Sequence, residues 1–180
     1  EPVETGGDRE AAFTVYGFPD PGQRARAWTV TDVDGDGLSD MIAADGRANA
    51  LAVFRQSPEG DLTGAESSPS LSDITTLSVV PATGDAPPEL LVLSDEEGVV
   101  GRTALTSGEL AFPVPLAVSA GYEPVAMSVM QIRGTPHAAV VINSKRDYML
   151  ELTDLSSGDA TSSRTVDLGA LSRKPDHVRS

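Results

Sequence analysis

The segment from Asp32 to Asp40 combines residue types and spacings that suit metal chemistry. Its carboxylates stand at Asp32, Asp34, Asp36 and Asp40, and glycines lie between them at positions 35 and 37. Glycine reaches the positive-φ conformations that a tight loop needs, so the backbone can curl around a common centre. Four like charges so close together repel one another unless a cation neutralises them. A hard divalent ion with oxygen ligands, above all Ca²⁺, meets that demand.

The spacing also indicates which atoms would bind the ion. Short aspartate arms from the first, third, fifth and ninth positions can converge, and the backbone carbonyl of Leu38 at the seventh position adds a ligand. The EF-hand has a similar opening, but it needs flanking helices and a bidentate glutamate at position 12. Here that position is Ala43, and both flanks are predicted strands. We therefore predict a calcium loop that is not an EF-hand, with the ligands Asp32, Asp34, Asp36, Leu38 and Asp40.

The composition is that of a folded and acidic protein. Of 180 residues, 39% are hydrophobic and 22% are charged, and the formal net charge is −14. This acidity excludes nucleic acid as a partner and disfavours anionic membrane surfaces, because both require clustered Lys and Arg. Without cysteine, disulfides and thiolate metal sites are impossible. No apolar run approaches the ~18 residues of a membrane span, so no membrane insertion is expected. Since low-affinity calcium sites fill where calcium is abundant, we expect an extracellular, cell-surface or periplasmic location.

Short apolar runs recur along the chain with a period of about 49 residues. They are rich in β-branched residues and separated by turn residues, which predicts an all-β chain of short strands. First strands begin at Trp28, Leu77 and Met127, and each is followed by a turn and a more apolar strand. Four antiparallel strands in a unit of this length are typical of a β-propeller blade. The predicted fold is a partial β-propeller of about three four-stranded antiparallel blades, with half-blade strands at both ends.

The repeat divides the chain into five segments. More polar outer strands are predicted at 13–16, 112–114 and 164–168. Because about three and a half blades cannot close a ring of the usual 4–8, we expect a part of a larger propeller, or blades that stack on other copies or partners. The segments are 1–25 with the outer strand of a preceding blade, 26–64 as the blade with the calcium loop, 75–111 as a second blade with a degenerate loop, 124–160 as a third blade whose loop has no carboxylates, and 161–180 with an outer strand and the start of a further blade.

The loops of the second and third units depart from the first. Between 81 and 89 the second loop keeps Gly84, Asp85 and Glu89 but lacks the opening aspartates. Between 131 and 137 the third loop has no carboxylate. Carboxylate oxygens are the ligands that calcium needs. The sequence therefore predicts one metal ion and not three.

The stretch VTDVDGDGLSDMI, from Val30 to Ile42, resembles the FG-GAP/VCBS family of calcium-binding β-propeller repeats. That family is known from bacterial surface and secreted proteins and from the heads of integrin α-subunits. In it, the loop joins the first two strands of a blade and binds Ca²⁺. The resemblance implies the same ligand set named above and a module that binds a protein or glycan ligand, or that pairs with further blades from another segment or chain.

No catalytic constellation is predicted. The two histidines, His137 and His177, lie in different predicted turns, and no Gly-x-Ser-x-Gly elbow or phosphate-binding glycine loop is present. Trp28 and Tyr148 fall on predicted strands, which favours core positions over a ligand surface. We therefore expect a non-catalytic calcium-binding module. The alternatives are a structural subunit of a multi-component surface or secreted assembly and the non-catalytic half of a polysaccharide-active enzyme.

Overall fold

The computed structural model describes residues 27–84, 86–106, 109–145, 147–156 and 163–168. Within these ranges the chain forms thirteen strands in three antiparallel sheets. This confirms the prediction of an all-β chain built from antiparallel sheets. No helix in the described part has the length and hydropathy needed to cross a membrane.

Sheet 1 is a meander in which each strand pairs with the next along the chain. The first pair ends at Thr31 opposite Asp40, so the acidic segment is the connection that joins these two strands. In the next connection, the Asp45 carboxylate accepts hydrogen bonds from the amides of Arg47 and Ala48, a typical aspartate turn. The strands are β1 (Trp28–Thr31), β2 (Asp40–Asp45), β3 (Ala50–Phe54) and β4 (Glu66–Pro69).

Sheet 2 has the same meander, but its outermost position is divided between two strands of two residues each. Both short strands pair with the third strand of the sheet, and Pro113 lies between them. Proline donates no backbone hydrogen bond, which suits a position outside a continuous ladder. The strands are β5 (Ile74–Val80), β6 (Glu89–Ser94), β7 (Val99–Thr106), β8 (Glu109–Leu110) and β9 (Val114–Pro115).

Sheet 3 repeats the arrangement with longer strands. Its first hairpin closes through Arg133 and Gly134, which have φ angles of 52° and 82°. Two consecutive positive φ values match the twist of the flanking strands and fix the hairpin register. The strands are β10 (Glu123–Ile132), β11 (Thr135–Ser144), β12 (Asp147–Asp154) and β13 (Ser163–Asp167).

Sheet 2 is the middle layer between two apolar cores. Leu90 and Val92 of β6 belong to the core shared with sheet 1, whereas Leu91 and Leu93 belong to the core shared with sheet 3. All four side chains have an exposed fraction of 0%. Because successive residues of a strand point to opposite faces, a strand covered on both faces needs an uninterrupted apolar run. The sequence ELLVLS of β6 has that run.

The first strands of the three sheets lie side by side. Strand β1 contacts β5, and β5 contacts β10. The ladders of the three sheets stay separate, and the described residues do not close a ring. The propeller therefore stays a prediction.

Three details of the sequence interpretation differ from the structure. The fourth strand of sheet 1, β4, was not predicted, because its sequence ESSP is polar and ends in proline. The core assignment of Trp28 and Tyr148 is wrong, since their exposed fractions are 60% and 41%. Of the predicted outer strands, 112–114 meets β9 only at Val114, and 164–168 overlaps β13. The strand at 13–16 and the segment that would begin a further blade lie outside the described residues.

Candidate metal site

Asp32 organises the first half of the acidic loop between β1 and β2. Its Oδ1 accepts a hydrogen bond from the Gly35 amide at 2.7 Å, and its Oδ2 accepts one from the Gly37 amide at 2.9 Å. Both glycines have positive φ angles, 83° and 87°. Side chains other than glycine rarely adopt such angles, so the two glycines allow the backbone to wrap around the carboxylate.

Asp40 anchors the other end of the loop. Only 1% of this residue is exposed, yet it carries a carboxylate. Its Oδ2 accepts the Val33 amide at 2.9 Å, and its Oδ1 accepts the Gln56 amide at 2.9 Å. A buried charge is tolerated only where hydrogen bonds replace water. The two bonds tie the start of β2 to the loop and to the residues that follow β3.

Asp34 and Asp36 occupy the exposed part of the loop. Oδ1 of Asp34 accepts the amide of Asp36 at 3.2 Å, and its Oδ2 lies 3.3 Å from Nε of Arg55. Oδ1 of Asp36 accepts the amide of Leu38 at 2.8 Å. Arg55 also contacts Glu66 on β4, with 2.8 Å between Nη1 and Oε1. The loop is therefore held to the outer strands of sheet 1 by an arginine that bridges two carboxylates.

The structure brings three of the predicted ligands together. Asp32, Asp34 and Asp40 each offer one carboxylate oxygen, and these oxygens all lie within 4.8 Å of one another. Calcium–oxygen distances of 2.3–2.6 Å allow two ligands of the same ion to be at most about 5 Å apart. A carboxylate has roughly four lone-pair positions, so the hydrogen bonds described above leave room for a further bond. The acidic group can hold a metal ion.

One of the other predicted ligands stands apart from this group. Asp36 is not among the converging carboxylates, and its Oδ1 accepts a hydrogen bond from the amide of Leu38. Leu38 is half-buried and lies in the second half of the loop, and its backbone carbonyl stays a predicted ligand.

Sequence reasoning missed Arg55 and Gln56 as partners of the loop. The signal was the hairpin of β2 and β3, whose register pairs Met41 with Phe54. The residues after Phe54 must then run alongside Asp40, which places Gln56 within reach of its carboxylate. The register of the β2–β3 hairpin therefore predicts that Arg55 lies beside the aspartates of the loop.

In sheet 2 the position that corresponds to Asp40 is Glu89, at the start of β6. This carboxylate is paired with Arg102 of β7, whose Nε and Nη2 lie 2.7 and 2.6 Å from Oε2. The same guanidinium donates to the carbonyl of Leu155 at 3.0 Å, which links sheet 2 to sheet 3. Here the carboxylate that ends the second loop is neutralised by a fixed side chain.

A cleft of about 620 Å³ opens beside the acidic group. Asp32 and Asp34 line one side of it, and the proline-bearing turn after β5 lines the other. The volume is within the range of small-molecule sites in proteins, roughly 300–1,000 Å³. The remaining lining residues are Thr31, Val33, Gly35, Val79, Pro81, Ala82, Pro87, Pro88, Leu105 and Thr106.

Comparisons of this chain with protein-family models, with curated proteins and with solved structures give no match.

Proposed function

We propose that this chain is a calcium-binding β-propeller module of the FG-GAP/VCBS type, non-catalytic and extracytoplasmic, which presents its loops to a protein or glycan ligand. The observation that carries the proposal is the convergence of Asp32, Asp34 and Asp40, whose oxygens lie within 4.8 Å of one another on the connection between two strands. Such a set of hard oxygen donors suits calcium.

Electrostatics supports a divalent cation in this loop. The four aspartates bring four formal negative charges, and Arg55 contributes one positive charge at Asp34. An ion of charge +2 would remove most of the remaining repulsion. Calcium also accepts irregular coordination with backbone carbonyls and water, so Leu38 and Asp36 remain available as additional ligands.

The arrangement of strands supports the propeller part of the proposal. Each sheet is a four-position antiparallel meander, and the first strands of successive sheets are in contact. A propeller places its blades around a centre in the same order, with first strands innermost. The acidic loop joins the first two strands of a sheet, as the resemblance to the family requires.

The cleft beside the loop is the site that we propose for the ligand. Its walls combine apolar side chains with two carboxylates and two threonines, a mixture suited to an oriented polar ligand. An ion bound at Asp32 and Asp34 would then be close to the ligand. A structural role in a surface or secreted assembly is the second candidate, and the exposed apolar residues at Trp28 and Val30 favour it.

Thermal unfolding in millimolar Ca²⁺ and in chelator tests the calcium site. A ligand at about 100 times its Kd stabilises the folded state by about 2.7 kcal/mol, which raises Tm by roughly 5–10 °C for a chain of this size. Asp34→Asn should remove most of this shift in Tm, because it removes a metal ligand that contributes little to the stability of the metal-free protein. Asp95→Asn is the matched control, since it makes the same change in an exposed turn of sheet 2 and should keep the shift. Equal Tm values for the wild-type protein in both buffers would overturn the proposal.

A further inference from the structure

Arg55 contacts one of the carboxylates of the proposed metal site. Its Nε lies 3.3 Å from Oδ2 of Asp34, and Asp34 is one of the three aspartates whose oxygens converge. The side chains of Arg55 and Asp34 are 25% and 29% exposed, so water and salt screen this pair less than a pair on the open surface. A cation bound by Asp34 would therefore be close to a guanidinium.

Arg55 also has a second carboxylate within reach. Its Nη1 donates a hydrogen bond to Oε1 of Glu66 at 2.8 Å, and Glu66 is the first residue of β4, outside the acidic loop. The side chain of Glu66 is 62% exposed. A guanidinium has five N–H donors in a fixed fork, so it can lose one carboxylate and keep another. Arg55 can therefore stay paired with Glu66 when another cation binds Asp34.

Sheet 2 shows what an arginine achieves where the loop has fewer carboxylates. Arg102 of β7 pairs with Glu89 at the end of the second loop, with 2.6 Å between Nη2 and Oε2. The opening aspartates of the first loop are missing from the sequence of the second. In sheet 1, the four negative charges of the aspartates exceed the one positive charge of Arg55 by three. An arginine can therefore neutralise a single carboxylate, but it leaves the first loop with a deficit of positive charge.

We propose that Arg55 sets the calcium affinity of the loop, because it competes with the ion for Asp34 and keeps Glu66 as its alternative partner. The inference rests on the proposed calcium site and concerns the regulation of that site. In the metal-free protein, the guanidinium neutralises part of the charge of the loop. In the metal-bound protein, the same positive charge opposes the ion. Arg55 therefore stabilises the metal-free state and weakens the binding of the ion.

Calorimetric titration and thermal unfolding of Arg55→Gln test this role. We expect Ca²⁺ binding about tenfold tighter than in the wild type, which is the order of the repulsion between a divalent ion and a unit charge a few ångströms away in water. In chelator the same variant should have a Tm roughly 2–4 °C lower, because the loop loses its counter-charge. An arginine that only supported the fold would not produce these two effects of opposite sign.

Two further arginine substitutions serve as controls. Arg55→Lys keeps a positive charge at the same place and should bind Ca²⁺ within about threefold of the wild type. Arg47→Gln removes the same charge from the connection between β2 and β3, at the other end of that hairpin from the acidic loop, and should leave the affinity unchanged. Equal gains of affinity in Arg47→Gln and Arg55→Gln would mean that net charge sets the affinity, which would overturn the inference.

Glu66→Gln tests the alternative partner at an exposed position. Without the charge of Glu66, the guanidinium should be held more strongly by Asp34, and Ca²⁺ binding should weaken about threefold. In an Arg55→Gln background the same substitution should have no such effect, since it acts through Arg55. An equal loss of affinity in both backgrounds would overturn the assignment of Glu66 as the alternative partner.

The titrations also separate this inference from the calcium site itself. If the wild type binds Ca²⁺ and Arg55→Gln binds it equally or more weakly, then the role of Arg55 is overturned and the calcium site stands. If Arg55→Gln binds Ca²⁺ and the wild type does not, then the competition is supported and the calcium-binding function of the native chain fails. If neither protein binds Ca²⁺, both proposals fail.

Discussion

Asp40 stabilises the fold of the loop, in addition to its proposed role as a ligand of the ion. Its buried carboxylate accepts amide hydrogen bonds from Val33 and Gln56, which come from the loop and from the end of β3. Asp34, by contrast, is exposed and bonds within the loop and to Arg55. The two aspartates should therefore respond differently to substitution, even though both belong to the same acidic group.

Asp40→Ala should lower the free energy of unfolding by about 2–4 kcal/mol in chelator, because two amides lose their acceptor in a buried place. Asp34→Asn should change it by less than about 0.5 kcal/mol under the same conditions. Urea denaturation of both variants in chelator measures the difference. An Asp40→Ala protein as stable as the wild type without metal would show that the anchoring bonds contribute nothing.

Asp154, near the end of β12, offers a test of a single hydrogen-bonded turn. The hydroxyl and amide of Ser156 donate to this carboxylate at 2.7 and 2.8 Å and hold the pKa of Asp154 below its usual value of 3.8. A carboxyl whose pKa is lower in the folded state stabilises the fold above its unfolded pKa, and the contribution is lost as pH falls through the folded pKa. The effect therefore belongs to the acid range below about pH 4.

Ser156→Ala should raise the pKa of Asp154, because the hydroxyl is the largest cause of its lowering and only the amide remains. Carboxyl carbon chemical shifts followed by NMR across the acid range measure this directly. Ser67→Ala in sheet 1 serves as the control and should leave the Asp154 titration where it is. An unchanged titration in Ser156→Ala would mean that the hydroxyl bond is not made in solution.

At the scale of elements, Gly101 of β7 lies against the segment that leads into β9. A Cβ at this position would lie 2.6 Å from Cβ of Pro113 and 3.1 Å from Cδ1 of Leu71. Gly101 also pairs with Pro115 of β9. The proline ring is rigid, so the contact cannot be relieved by a simple rotation of a side chain.

Gly101→Ala should therefore destabilise the protein by about 1–3 kcal/mol, the usual cost of overpacking a well-filled contact. Gly64→Ala is the matched control, because a Cβ there meets no atom within 4 Å. Urea denaturation of both variants measures the difference. A Gly101→Ala protein with wild-type stability would mean that β9 is free to move away from β7.

The strands that could be predicted from the sequence were those with a short apolar run in each repeat. Strands β2 and β6 follow their turns as uninterrupted apolar segments, and the repeat placed both in the right order. Strand β4 has no such run, since its residues are mostly exposed and are held by pairing with β3. Local sequence cannot reveal a strand whose stability comes from its neighbour.

The metal site was likewise predictable only in part. The spacing of the aspartates in the sequence indicated the loop, and three of these aspartates do converge. The hydrogen bonds of Asp40 and the position of Arg55 depend on the pairing register of β2 and β3, which the local sequence does not give. Likewise, the place of Trp28 on a predicted strand favoured a core position, but 60% of the residue is exposed, because burial depends on the elements that pack on the strand.

At the scale of the whole molecule, the described chain is a row of three sheets with two internal cores. The acidic group lies on the first sheet, at the end of the β1–β2 pair, and the cleft beside it spans to the second.

The most direct test of the calcium site is a calorimetric titration of the metal-free protein with Ca²⁺. We predict saturable binding of one ion per chain, and at least about tenfold weaker binding in Asp34→Asn, because one of three converging carboxylates is lost. Asp95→Asn should bind as the wild type does. The absence of binding at millimolar Ca²⁺, or unchanged affinity in Asp34→Asn, would contradict a calcium site at the acidic loop.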